Sequence, residues 1–195
     1  IGSSLVGSEM CIRDRRRMAG HSTLMLDHRD VMTIKESGGV LNRSTNTELY
    51  RHEEQGAAFL EAMYDGYFAS HSIVHTRKFY LGDKGQDIRG EDYLTRDNVA
   101  SQTVHTVDGV VRFHLHPRVR VSLVRNGEAA LLRLYSGSGW LFECAGASLS
   151  LEDSVYMGHS QSGGVPQKTC QLVLSFPVEP GTKDVKVKWA FHREN

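Results

Sequence analysis

The sequence predicts an all-β protein, a sandwich or a barrel of short strands, on three observations. From His21 onward the chain alternates apolar and polar residues in short segments punctuated by Gly, Asp and Asn. Its 19 Gly stand against only 4 Pro, with many Val, Thr, Ser and Tyr, which favours turns and strands over helices. The segments also follow one another too closely for alternating strand and helix units. At 195 residues and 39% hydrophobic content, the chain can bury a sizeable core as one domain without covalent staples.

Composition also narrows the function. The 23 Lys and Arg balance the 23 Asp and Glu, so the long-range field used by nucleic-acid binders and polybasic membrane binders is missing. No nucleic-acid partner is therefore expected. No stretch approaches the roughly 18 to 20 consecutive apolar residues of a membrane-spanning helix.

The elements follow in chain order. Residues 1–17 show neither strand alternation nor a helical stripe, and Val6 to Arg15 resembles a translated sequencing-adaptor remnant. They are expected to be a non-native, disordered segment, with the folded domain spanning 18–195. Strands are then expected at Ser22–Asp27, Val31–Lys35, Ala57–Tyr64, Ile73–Leu81, Val104–Thr106, Val110–His116 and Arg118–Val124. Further strands are expected at Ala129–Tyr135, Gly139–Cys144, Ala147–Leu151, Gln171–Phe176 and Val185–His192. Asp108-Gly109 and Asn126-Gly127 are dipeptides suited to positive φ, so both are expected to close tight hairpins. In the last strand Val185, Val187, Trp189 and Phe191 alternate with polar residues and should enter a core, while Lys186 and Lys188 face water. Glu53–Met63 is also compatible with a helix, but Gly56 and the turn Tyr64-Asp65-Gly66-Tyr67 favour a strand and hairpin.

The stretch richest in chemistry is Arg112-Phe113-His114-Leu115-His116-Pro117, where a strand projects His114 and His116 from one face. A cupin-type metal centre would add a Glu four or five residues after the second His, but Arg120 and Val121 stand there. Carbohydrate contact by Arg112, His114 and His116 is therefore expected ahead of metal binding. His21 and Asp27 lie too far apart along a strand to share one ion. His71, His75 and Arg77 read as a solvated strand edge, and the neighbouring acids Glu91-Asp92 and Glu152-Asp153 as turn or capping groups on opposite faces. Cys144 and Cys170 fall in strands without a zinc-binding spacing, and free buried thiols are the expected state. There is no nucleophile elbow, phosphate loop, zincin motif or dinucleotide fingerprint, and Gly158 to Gly164 reads as a mobile loop.

A co-linear set of motifs adds to this reading. His21-Ser22-Thr23-Leu24, Asp65-Gly66-Tyr67, Val74-His75-Thr76-Arg77, Gly90-Glu91-Asp92, Arg112 to Pro117, Leu151 to Tyr156 and Trp189-Ala190-Phe191 resemble the C-terminal domain of bacterial heparinase II/III-like proteins. The resemblance runs over about residues 19 to 194 and implies an antiparallel β-sandwich. It also implies a polysaccharide lyase parent, in which an N-terminal helical toroid and the sandwich hold an acidic polysaccharide between them. The implied reaction is β-elimination: a base removes the proton α to the uronate carboxylate, an acid protonates the leaving oxygen, and the enolate is stabilised electrostatically. In the family the toroid supplies the Tyr and His for this work, so no catalytic residue is expected here and the fragment itself is expected to be inactive. The family's zinc site is implied for an intact parent only, with His21 as the matching ligand and its partners upstream. The expected setting is the cell envelope or periplasm of a Gram-negative bacterium. The alternative is a non-catalytic carbohydrate-binding or envelope structural sandwich, with Tyr64, Tyr67 and Trp140 as candidate sugar-stacking residues. Heparin itself is disfavoured by the near-neutral charge.

Overall fold

A strand that alternates apolar and polar residues has one face to bury, and two sheets so patterned cover each other. The computed structural model describes residues 17–35, 37, 39–41, 46–96, 105–158 and 166–194. Among them lie β1 (Leu24–Leu26), β2 (Thr33–Ile34), β3 (Val40–Leu41), β4 (Thr47–Glu54), β5 (Ala57–Tyr64), β6 (Ile73–Leu81) and β7 (Asp87–Arg96). The chain continues through β8 (Val107–His114), β9 (Arg120–Val124), β10 (Ala129–Arg133), β11 (Gly139–Ala145), β12 (Ser148–Tyr156), β13 (Gln167–Val178) and β14 (Asp184–Arg193). A single α-helical turn among the described residues, α1 (Phe68–His71), interrupts them.

The strands form an antiparallel β-sandwich. The larger sheet has eight strands in the order β4-β5-β6-β7-β14-β11-β10-β9, and the smaller has four in the order β1-β8-β13-β12. β2 and β3 make a separate two-stranded ribbon. Leu24, Leu26, Val107, Val111, Phe113, Leu172, Leu174 and Phe176 of the smaller sheet bury against Leu94, Ala130, Leu132, Phe142, Val187 and Trp189 of the larger. Phe113 is the hub, its ring 4.8 Å from Trp189, 5.4 Å from Phe142 and 5.6 Å from Phe191. β14 behaves as its alternation predicts: Val187 and Trp189 are buried while Lys186 and Lys188 are exposed.

Most expected strands are present, with shifted ends. Glu53–Met63 is not a helix; it contributes to two strands, β4 and β5, joined across Gln55-Gly56. Asn126-Gly127 lies in the tight connection from β9 to β10, with φ of 57° and 92°. Asp108-Gly109, by contrast, is not a turn. Both residues sit inside β8, opposite Pro177 and Phe176 of β13, and a Cβ on Gly109 would overlap the Phe176 ring. Glycine here serves close approach rather than positive φ. The expected strand Val104–Thr106 lies partly outside the described residues, and Thr106 itself precedes β8. Tyr64-Asp65-Gly66-Tyr67 does not close a tight hairpin either, because α1 intervenes before β6 and Tyr64 pairs with His75.

Three strands escape the sequence pattern altogether, the first being β3, two exposed residues with no alternation to read. β4 is an edge strand exposed along its whole length, so nothing in its sequence needs to alternate. β7 places Gly90 and Asp92 at inward positions where an apolar residue would have marked a strand.

The Gly109 contact is testable. Gly109→Ala should overpack the Phe176 site and destabilise the domain by about 1–3 kcal/mol. A lower urea midpoint with an unchanged denaturant slope would register it.

Candidate functional site

Alternation along β6 points Ile73, His75, Arg77 and Phe79 inward, and along β7 it points Gly90, Asp92 and Leu94 inward. Arg77 and Asp92 are direct cross-strand partners, while Trp189 of β14 stands opposite Gly90. These registers gather three side chains, which make four hydrogen bonds, on one carboxylate. His75 Nε2 and Arg77 Nε each donate to Asp92 Oδ1 at 2.7 Å. Arg77 Nη2 at 3.0 Å and Trp189 Nε1 at 2.9 Å donate to Oδ2. Asp92 is 0% exposed, His75 7% and Arg77 9%. The solvated-edge reading of His71, His75 and Arg77 is therefore overturned, since His71 is buried as well. So is the turn or capping role of Asp92, although Glu91 does point the opposite way, toward Lys186 at 3.6 Å.

The charge balance follows from this geometry. Burial opposes ionisation of Asp92, but the donors from His75 and Arg77 outweigh it and hold the carboxyl below the usual carboxylate range. Arg77 is held on its other side by the rings of Phe79 and Trp189, each centroid 5.9 Å from the guanidinium carbon. Its Nη1 donates to the Ser22 carbonyl at 2.7 Å. The quartet thus joins three strands of the larger sheet to the segment that leads into β1 of the smaller. Gly90 makes this possible, because a Cβ there would occupy the space of the Trp189 indole.

The segment so held, residues 17–23, lies against the second cluster. Ala19 O accepts from His114 Nε2 at 3.1 Å, and His114 Nδ1 is 2.9 Å from Ser154 Oγ. With Nε2 committed as donor, Nδ1 of a neutral ring accepts from the serine. Ser22 Oγ accepts from the His114 backbone N–H at 3.1 Å. His116 lies beyond the end of β8; its Nδ1 accepts from the Arg118 N–H at 3.1 Å, and its ring meets Tyr156 edge-on at 4.8 Å. Arg112, half-buried, is on the same outward face of β8 as His114. The three expected contact residues therefore share one side of the smaller sheet.

His21 is exposed, and Asp27 is engaged elsewhere: its Oδ1 accepts from the Asp108 N–H at 2.9 Å and its Oδ2 faces His71 Nε2 at 3.2 Å. Among the described residues no group of three or more His, Cys, Asp or Glu gathers to hold a metal ion. Among the described residues none gathers with His21 into a metal-binding set. Cys144 and Cys170 are free thiols, half-buried, and burial pushes both away from the thiolate form. Tyr67 is no sugar-stacking residue: it is 1% exposed and its hydroxyl donates to Leu24 O at 3.1 Å. Tyr64 and Trp140 also pack against the core.

The quartet makes two predictions. Asp92→Ala strands a buried guanidinium and should cost about 3–5 kcal/mol in equilibrium unfolding. Because the folded carboxyl titrates below its unfolded value of 3.8, its stabilisation is complete above that pH and is lost as pH falls through the lower folded value. An acid-unfolding curve should show this limb in the native chain, and Asp92→Asn should flatten it.

The comparisons with known proteins agree with this architecture. The heparan sulfate lyase HepC of Pedobacter heparinus superposes with a TM-score of 0.69 at 13% identity, covering 100% of this chain and 27% of its own. A heparinase III superposes with a TM-score of 0.66 at 14% identity, covering 100% of this chain and 26% of its own. A curated relative, FtsZ-localized protein C of Caulobacter vibrioides, is 28% identical over 154 residues, which is 77% of this chain and 26% of that protein. This chain thus spans about a quarter of the length of these proteins. The family model for the heparinase II/III-like C-terminal domain matches residues 4–189, and on that match the chain belongs to the heparinase II/III-like C-terminal family.

Proposed function

We propose that this chain works as the C-terminal β-sandwich of a polysaccharide lyase that cleaves uronate-containing acidic polysaccharides by β-elimination. The observation that carries the reading is the family match over residues 4–189. In this reading the sandwich is one wall of the substrate cleft, and an upstream helical domain supplies the base and the acid. The chain alone is inactive, and its parent works in the cell envelope or periplasm of a Gram-negative bacterium. Arg112, His114 and His116 make up the face offered to the polymer: Arg112 by charge and His116 through its Nε2–H, while His114, with both ring nitrogens engaged by Ala19 O and Ser154 Oγ, fixes residues 17–23 beside them. Asp92 is not offered, because four donors saturate it and no water reaches it.

A second reading, a non-catalytic envelope or carbohydrate-binding sandwich, is favoured by one observation. The relative at 28% identity carries a name that records FtsZ localisation, while the lyases matched by fold are 13% and 14% identical.

The test compares this chain with a protein that also carries an upstream helical domain. Each is incubated with alginate, hyaluronan and heparan sulfate while the ultraviolet absorbance of the unsaturated uronate product is followed. The longer protein should raise the absorbance on at least one polymer and this chain on none. No rise from the longer protein would overturn the lyase reading and leave the second. In an active parent, Arg112→Ala should raise KM about tenfold with kcat little changed, the loss of one charged hydrogen bond made equally in ground and transition states.

A further inference from the structure

The outer face of the larger sheet carries a row of side chains that the sandwich core does not use. His52 of β4 stands opposite Phe59 of β5, Phe59 opposite Tyr80 of β6, and Tyr80 opposite Arg89 of β7. Their neighbours Leu60, Phe79 and Gly90 take the inward positions, so all four project outward. The Phe59 and Tyr80 rings meet at 4.9 Å between centroids and 53° between planes, and the Arg89 guanidinium carbon lies 5.8 Å from the Tyr80 centroid. Phe59 is 43% exposed.

Beside this row the tips of the β4–β5 and β6–β7 connections enclose a concave surface of about 460 Å³, lined by Glu54, Gln55, Ala57, Phe59, Tyr80 and Asp83. Aromatic faces and carboxylates thus line one hollow. Ring faces carry the negative part of the quadrupole and attract the C–H face of a sugar, while carboxylates and an amide accept from its hydroxyls. We propose that this hollow and the Phe59–Tyr80 platform bind a neutral pyranose chain.

Charge selects neutral sugar over uronate. Glu54 and Asp83 would meet a sugar carboxylate with like charge, and Arg89 is already occupied by Asp87, at 2.6 Å from Nη2 and 3.1 Å from Nε. The row crosses the strands, so its side chains repeat at the strand spacing of roughly 4.8 Å, comparable to one pyranose unit. A chain laid along the row would meet one side chain per sugar. This face lies on the opposite side of the sandwich from Arg112 and His114, so the inference is independent of the lyase reading.

The experiment is native affinity electrophoresis of the full chain in gels containing hydroxyethylcellulose, galactomannan or alginate. At least one of the two neutral polymers should retard the protein, and added salt should not abolish the effect. Tyr80→Ala should weaken retardation about tenfold, the scale of one lost stacking contact. Asp83→Asn, at an exposed turn that tolerates the change, should weaken it with circular dichroism unaltered. Tyr135→Ala removes an 84% exposed aromatic far along the chain from this row and should change nothing. The proposal is overturned if neither neutral polymer retards the chain, if alginate alone does so, or if Tyr135→Ala costs as much as Tyr80→Ala. Because the assay reads binding of neutral polymers and not elimination, either result leaves the lyase test standing on its own.

Discussion

A carboxylate removed from water is costly to ionise unless its oxygens are filled by donors, and Asp92 has four. That requirement constrains much of the fold around it. His75 and Arg77 must face inward on β6, Asp92 must face inward on β7, and Trp189 must reach across from β14. A slip of one residue in either pairing would turn Asp92 toward solvent and Arg77 away from it. Buried ion networks add little net stability compared with apolar packing, but they penalise wrong registers heavily. The quartet is best understood as a device of that kind, specifying how β6, β7 and β14 align.

The same quartet reaches outside its own sheet. Arg77 holds the Ser22 carbonyl, and residues 19 and 22 in turn contact His114. The position of the outward imidazole on the smaller sheet therefore depends on a carboxylate in the core of the sandwich. This division of labour separates structural polarity from surface chemistry. In the core the charge of Asp92 is met by Arg77 and His75, whereas the two outer faces carry polar and aromatic side chains that the core does not use. Arg112, His114 and His116 occupy the smaller sheet's face, and the aromatic row with Arg89 occupies the larger sheet's.

Much of the architecture was legible because it rests on local alternation. β14, β6 and the Asn126-Gly127 connection follow directly from period-two patterning and from turn chemistry at positive φ. The failures have physical causes. β4 has no buried face, so its sequence carries no alternation to find. β7 buries Gly90 and Asp92 where the pattern looks for apolar residues, and Asp108-Gly109 mimics a turn because Phe176 needs the space of a side chain. His75 and Arg77 looked solvated because polarity is a poor guide to exposure once a buried counter-charge exists.

By itself the sequence determined the strand-rich class, the Asn126-Gly127 turn, the apolar faces and, through a co-linear set of short motifs, the family. Each of these depends on neighbours in the chain or on residue type. Only the tertiary structure decided that Asp92 meets Arg77 across 15 residues and Trp189 across 97, and that Phe59, Tyr80 and Arg89 align in one row. Those contacts are set by strand order and register, which arise from packing two whole sheets together rather than from any one segment.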